Sequence, residues 1–232
     1  MIKLLLSLLL MPVALPLAAG EDLMMGSVVK SDKWKMDRAK DQEVFEGNVS
    51  FRNPHYTLKA DYALYARPVQ TWNIKGSIYT LRRFVDKSQV EVYCDRAIYI
   101  ETSEEAYLNS GALPVRMKYT GADGRVLNAK SRTAKVENKS GHMYFDGNLA
   151  LSTENMDMFS GMGMYNNLER TFTMHESTPL AVGTREGYNF AINANKIQFF
   201  RDSRDIKFYN NVTGWVKDTG AGVKTALPAI KK

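Results

Sequence analysis

The chain has 232 residues, with 31 Lys and Arg against 25 Asp and Glu, three histidines and a single cysteine. Its length gives room for one substantial domain once an export segment is set aside. The lone cysteine excludes an internal disulfide framework, and the spread-out charge excess excludes a concentrated basic tail while suiting either an anionic partner or an ordinary charged surface.

Residues 1–20 read as a cleavable secretory signal peptide: Lys3, an apolar run from Leu4 to Leu10, then Pro12, Pro16 and the small residues Ala18, Ala19 and Gly20. The two prolines make the run a poor membrane helix, and an uncleaved anchor is the alternative. Gly20 rather than cysteine precedes Glu21, which gives no support to a lipoprotein route. Without Lys3 the net charge is +5. Residues 21–27 form a short leader, 28–217 the folded domain, and 218–232, rich in Gly, Ala, Lys and Pro without periodicity, a disordered tail.

Within 28–217 the apolar residues alternate with period two, the signature of strands with one apolar and one wetter face. Val28–Asp37 is a strand without a preceding partner. Val44–Phe51 and Tyr56–Tyr65 follow as a pair, turned by Asn53-Pro54. Tyr56, Leu58, Ala60, Tyr62 and Leu64 are expected on one face. The next pair is Thr71–Leu81 and Val90–Glu101, around the charged turn 82–89. Gly76 repeats Gly47 after 29 residues, and Cys94-Asp95 repeats Ala60-Asp61 after 34. Cys94 shares the face of Val90 and Val92 and is read as a small buried hydrophobe.

A weaker third pair runs through Ala106–Ser110 and Leu113–Tyr119, turns at Gly121–Gly124 and returns over Val126–Val136. Met143–Leu151 restores Gly-Asn at Gly147-Asn148 and leads into Glu154–Tyr165, with Met156, Met158, Met162 and Met164 expected on one face. Thr171–Val182 and Tyr188–Phe199 make the fifth pair. Keeping Ile197 and Phe199 with Phe190 and Ile192 requires a bulge near Asn195. Ile206–Val216 repeats a first run, with Asn210-Asn211 in the Gly-Asn position. Two strands are not stable alone, so the copies must stack or close. A sandwich or small barrel is open, but nearly constant repeats favour two facing antiparallel sheets in a stacked, open jelly roll.

Chemistry is sparse. His55, His142 and His175 have unrelated settings and no metal-ligand spacing. Asp32, Asp61 and Asp95 recur in register, which suits a repeated joint better than a carboxylate pair. Gly161-Met162-Gly163 lacks a phosphate-loop context and Ser160 a nucleophile elbow. No enzyme activity, metal or cofactor is expected. The triplets at Asn48, Asn138 and Asn211 carry little information, and no RNA-binding signature appears, so nucleic acid is not an expected partner.

The informative feature is the inward inventory: Phe51, Leu58, Tyr62, Ile74, Ile78, Val92, Ile98, Leu113, Met117, Phe145, Leu149, Met156, Met158, Met162, Phe172, Phe190 and Ile192, with Trp72, Met164 and Met174 beside them. It fits a packed core, and equally an apolar groove between two sheets that holds acyl chains. Methionines suit adaptable packing around a flexible guest. Arg82 and Arg83, near one rim, are candidates for contact with phosphates.

Phe45-Glu46-Gly47-Asn48-Val49, Leu58-Lys59-Ala60-Asp61-Tyr62-Ala63, Phe145-Asp146-Gly147-Asn148-Leu149 and Cys94-Asp95-Arg96-Ala97, with Ser31-Asp32-Lys33-Trp34 more loosely, resemble the repeat of the periplasmic lipopolysaccharide-transport bridge (OstA-like, LptA/LptC-like) family. The resemblance spans roughly residues 28–216 and departs at Gly111, which no Asn follows, and at Gly161-Met162-Gly163. It implies a V-shaped all-β jelly roll open at both ends, a periplasmic location, and a groove shielding lipid A acyl chains. It also implies edge-to-edge contact with an inner-membrane transporter's periplasmic domain and an outer-membrane translocon domain, or a head-to-tail homo-oligomer. The expected edges lie near Val28–Met36 and Ile206–Val216. A soluble bridge and a transporter-associated module both fit the resemblance. The alternative function is a structural or adhesive stacked-β protein with a solid core and no lipid.

Overall fold

A computed structural model of the chain describes residues 28–219. The expected signal peptide and leader and nearly all of the expected tail lie outside the described residues. The chain forms one repetitive β-jelly roll of 18 strands. They are β1 (Val28–Lys30), β2 (Lys33–Asp37), β3 (Gln42–Arg52), β4 (Tyr56–Ala66), β5 (Thr71–Arg83), β6 (Gln89–Ile100), β7 (Glu105–Asn109), β8 (Val115–Thr120) and β9 (Val126–Ser131). Then come β10 (Thr133–Glu137), β11 (His142–Ser152), β12 (Met156–Asn166), β13 (Thr171–His175), β14 (Leu180–Arg185), β15 (Tyr188–Asn193), β16 (Lys196–Phe200), β17 (Ile206–Tyr209) and β18 (Thr213–Asp218).

β3, β4, β5, β6, β11 and β12 are long and bend at their middles, so each serves two layers. The other strands come as short collinear pairs broken at the same level. In layer I, β2 starts a series of antiparallel pairings that passes through the first half of β3 and ends on β16 and β17. In layer II, β1 starts on the second half of β3 and the series ends on β15 and β18. The pairings also close a ring of six strands in the middle, β6–β7–β10–β11–β9–β8. The terminal strands β1, β2, β17 and β18 each pair on one side only among the described residues. Single runs expected over Val28–Asp37, Val126–Val136, Thr171–Val182 and Ile206–Val216 are therefore broken in two, because their backbones do not bend continuously through the corner.

The corner is built from the repeated residues. Gly47-Asn48, Gly76-Ser77 and Gly147-Asn148 all take positive φ, from 45° to 79°. Two successive left-handed residues insert one extra position against the neighbouring strand, and glycine with Asn adopts that backbone at least cost. The register shifts accordingly at Glu46/Val49, Lys75/Ile78 and Asp146/Leu149. Asn210-Asn211, in the same role, also has positive φ at both residues. A seam of main-chain hydrogen bonds runs along the corner, including Asp32 N–H to Gly47 O at 2.9 Å, Arg132 to Gly147 at 2.9 Å and Asn195 to Asn210 at 3.0 Å. A second seam ties the hairpin tips of layer I: Arg67 to Asp41, Glu101 to Gln70, Asn138 to Glu104, Asn167 to Gly141 and Arg201 to Arg170. Each repeat is thus bonded to the next at the bend and at the rim, as stacking requires.

One apolar cluster fills the space between the layers. Phe51 of layer II meets Trp72 of layer I edge-to-face at 4.9 Å, and Phe45 joins them at 5.8 Å from Phe51. Near Asn195 the run Tyr188–Phe199 is broken rather than bulged, with β15 ending at Asn193 in layer II and β16 starting at Lys196 in layer I, and Phe190, Ala194, Ile197 and Phe199 are all buried.

Candidate functional site: the apolar interior

The interior is organised as files of paired residues that run across every strand of a layer. In layer I the register gives one file of successive partners. It passes from Trp34 through Phe45, Ala63, Ile74, Ala97 and Leu108, then through Ala134, Phe145, Gly163, Met174 and Ile197 to Phe208. In layer II a matching file starts at Val29, passes Phe51, Leu58, Met117, Leu151, Met158 and Ile192, and ends at Gly214. Thr80 is its one polar member. Cross-strand partners on one face are the units of sheet packing, so the layer I file makes a continuous apolar lining and the layer II file one interrupted only at Thr80.

The lining is covered in the middle and bare at the first strands. Met158, Met174, Leu151, Ile197 and Phe199 have no measurable exposure, whereas Trp34 is 58% and Val29 42% exposed. At the other end Phe208 is half-buried, and Val216, which faces Phe190 across the last pairing, is exposed. The apolar interior therefore continues out of the fold at both open ends.

Of the residues expected to point inward, Phe51, Leu58, Ile74, Ile78, Val92, Met117, Phe145, Leu149, Met158, Phe172 and Phe190 are buried in the cluster, as are Trp72 and Met174. Met156 and Ile192 pack against it. Tyr62, Ile98, Leu113 and Met162 do not belong to it. The strand facing each Gly corner takes three residues where its partner takes four, so its alternation changes parity there. On β4, Leu58 and Ala60 point inward before the corner and Ala63 and Tyr65 after it, leaving Tyr62 and Leu64 outside; Lys75 Nζ sits 5.8 Å from the Tyr62 ring. On β6 the inward residues change from Val92 and Cys94 to Ala97 and Tyr99, and Ile98 is outside. On β12 they change from Met158 and Ser160 to Gly163 and Tyr165, and Met162 and Met164 lie outside the cluster. Leu113, 57% exposed, lies in the link between β7 and β8. Sequence reasoning missed Phe45, Leu108, Leu127, Leu151 and the buried alanines Ala63, Ala97 and Ala134. The four-residue spacing from Phe45 to Val49 across Gly-Asn was the available signal.

Cys94 is buried, and desolvation pushes its thiol up to about 12. Burial also raises the Tyr56 hydroxyl, which faces Tyr99 across the layers. Glu101, at the layer I rim, accepts hydrogen bonds from Trp72 Nε1 at 2.7 Å and Tyr65 Oη at 2.8 Å, orienting two aromatic walls of the interior. Arg82 lies half-buried at the layer II rim, with its guanidinium 5.2 Å from the Phe84 ring, and Arg83 is exposed beside it. His55, His142 and His175 lie at the β3–β4 turn, the start of β11 and the end of β13. Among the described residues no group of three His, Cys, Asp or Glu is placed to hold a metal ion.

Fold and interior together define a stacked β-jelly roll with an apolar lining that runs from one free edge to the other. The family model described as the LptA/(LptD N-terminal domain) LPS transport protein matches residues 28–172, more than half of the chain. The chain belongs to this LptA/LptD N-terminal domain family of lipopolysaccharide transport proteins. No curated protein matches it. Among solved structures it is similar to LptH, the LptA-homologous periplasmic component of the lipopolysaccharide transport device of Pseudomonas aeruginosa. That likeness covers 90% of this chain and 94% of LptH, with 12% identity and a TM-score of 0.24.

Proposed function

We propose that this chain is a periplasmic carrier that shelters the acyl chains of lipopolysaccharide between its two layers and passes them through its open ends. The observation that carries this reading is the edge-to-edge apolar file from Trp34 to Phe208, uncovered where the strands run out. A solid structural core would end on polar or covered strands, whereas this lining continues into whatever pairs with β1 and β2 or with β17 and β18. β-Augmentation at those edges, by a transporter's periplasmic domain, a translocon domain or a second copy, joins one lining to the next.

Sheltering is worth about 0.8 kcal/mol per methylene kept from water, so a chain of a dozen carbons contributes of order 10 kcal/mol. Met156, Met158 and Met174, with flexible unbranched side chains, are the residues best able to repack around a guest. No covalent step is involved, and movement in one direction comes from an energy-consuming partner.

The test is photocrosslinking in cells from a benzophenone amino acid at Phe145, Met158, Phe51 and Ile192. Adducts carrying lipopolysaccharide are expected from these positions and not from the outward Ile98. Absence of lipid adducts at all four, in protein that folds normally, would establish the rival reading of a structural stacked-β protein, which the filled interior favours.

A further inference from the structure

Among the described residues the mouth opposite the corner is bridged by the tip between β16 and β17. Residues 201–205, the tip between β16 and β17 in layer I, reach residues 121–125, the tip between β8 and β9 in layer II. Arg125 Nη2 donates to the main-chain oxygen of Asp202 at 3.4 Å, and the Arg201 guanidinium lies 4.7 Å from the Tyr119 ring. From β14, Arg185 reaches Arg204 O at 3.3 Å and Asp205 Oδ1 at 3.4 Å. A recess of about 210 Å³ lies here, and its walls carry Arg125, Arg170, Arg201 and Arg204 against Asp86, Asp123 and Asp202.

The carboxylates of this recess are already engaged. Asp123 is held by the Arg125 side chain and, at 3.0 Å, by the Arg125 N–H. Asp202 accepts from Arg170 at 2.6 Å and Arg201 at 2.9 Å. Asp86 accepts from the Ser88 N–H at 2.9 Å and hydroxyl at 2.6 Å. One donor is left over: Arg204 Nε is buried with no hydrogen-bond partner. Burial, and next the neighbouring Arg125, pull the Arg204 guanidinium below its ordinary value. A buried N–H of a charged group without an acceptor is costly, and one multi-oxygen anion would relieve both the orphan donor and the cation excess.

We propose that this arginine recess binds a phosphate group, the anionic head of an amphiphile whose chains enter the interior below it. Guanidinium forks match phosphate oxygens two at a time. Arg204 also lies 5.7 Å from the ring of Phe199, a fully buried member of the core, so the recess adjoins the apolar lining. The amphiphile source rests on the carrier reading above; free phosphate or diphosphate is the other source of the same chemistry.

The experiment compares the full-length mature protein with R125Q/R204Q and, separately, R170Q. Each is titrated with lipopolysaccharide, with lipopolysaccharide whose lipid anchor has been enzymatically dephosphorylated, and with inorganic pyrophosphate followed by 31P line broadening. Unchanged melting temperatures and unchanged protection of Cys94 report intact folds. R125Q/R204Q is expected to bind intact lipopolysaccharide about tenfold or more weakly, the scale of lost charge-assisted hydrogen bonds, and to bind the dephosphorylated form as the wild type does. R170Q is expected to show a smaller loss of the same kind. Equal wild-type binding of both lipids with no pyrophosphate broadening would overturn the site and leave the carrier reading standing, as would unchanged phosphate preference in R125Q/R204Q. Pyrophosphate broadening lost in R125Q/R204Q, with no binding of either lipid by the wild type, would keep the site with a free phosphate ligand and remove the carrier.

Discussion

The carboxylate of Asp32 accepts a hydrogen bond from Asn48 Nδ2 at 2.9 Å and lies directly against the bare Cα of Gly47. The arrangement recurs one repeat on, where Asp61 lies against Gly76, and again where Asp95 lies against Gly111. At Gly147 the partner is Arg132. At these four corners a side chain from one repeat thus fills the space that the next repeat's glycine leaves open.

Gly76→Ala is expected to destabilise the fold by about 2–4 kcal/mol, combining a non-glycine residue at positive φ with a crowded corner. Gly76 has φ +77°, and a Cβ there would collide with Asp61. Asp61→Gly in the same chain should recover part of that loss but not the backbone strain. Urea denaturation of the two single variants and the double variant gives the coupling. Additive losses would mean that the two residues do not press on one another.

The parity change at the corner is tested by neighbours. Ile98→Lys, on the outer face, should stay within about 0.5 kcal/mol of the wild type, whereas Ile74→Ala, one position over in the buried file, should cost about 2–4 kcal/mol. Equal losses by chemical denaturation would place Ile98 inside.

On the outer face of layer I, Lys135 sits between Glu105 at 2.8 Å and Glu137 at 2.7 Å. Hydrogen bonds from Lys135 hold both carboxylates below their ordinary value of 4.5, with Tyr107 and Ser140 assisting. A depressed folded-state pKa means stability that is present above the unfolded value and lost as pH falls through the folded one. Melting temperature should therefore fall from about pH 4.5 downward, and Lys135→Met should flatten that slope while leaving the neutral-pH fold intact. An unchanged acid slope in Lys135→Met would show that other carboxylates set it.

Cys94, with its thiol raised to about 12 by burial, should react with an aromatic disulfide reagent at pH 8 only after unfolding. Labelling at native rates comparable to those in urea would mean that the layers part readily at the middle of β6.

Trp34→Glu and Val216→Lys place charges at the two exposed ends of the lining. Neither should shift the melting temperature by more than a few degrees. Each should weaken self-association in sedimentation velocity if copies join end to end. Association that survives both substitutions would move the contact elsewhere.

Much of this molecule was legible along the chain because its information is local and repeated. Period-two alternation identified the strands around Val49, Leu58, Ile74 and Phe145. Gly-Asn and Ala-Asp recurring in register marked the joints rather than a reactive site, and the resemblance built on them pointed to the family that the comparison established. What failed did so at those same joints. Simple alternation carried through the bend puts Tyr62, Ile98 and Met162 inward, but there one strand uses three residues against its neighbour's four.

The sequence by itself determined the strand grammar and the bends at Gly47, Gly76 and Gly147, since backbone preference and alternation act between near neighbours. Only the tertiary structure decided which side each residue faces beyond a bend, because that depends on a register shared with the adjacent strand. It alone also brought Arg125 and Asp202 together across the mouth, 77 residues apart. No local pattern announces such a meeting, because it follows from how many repeats stack and how far each turns. The apolar file from Trp34 to Phe208 belongs to both: its letters are local, and its continuity exists only once the strands lie side by side.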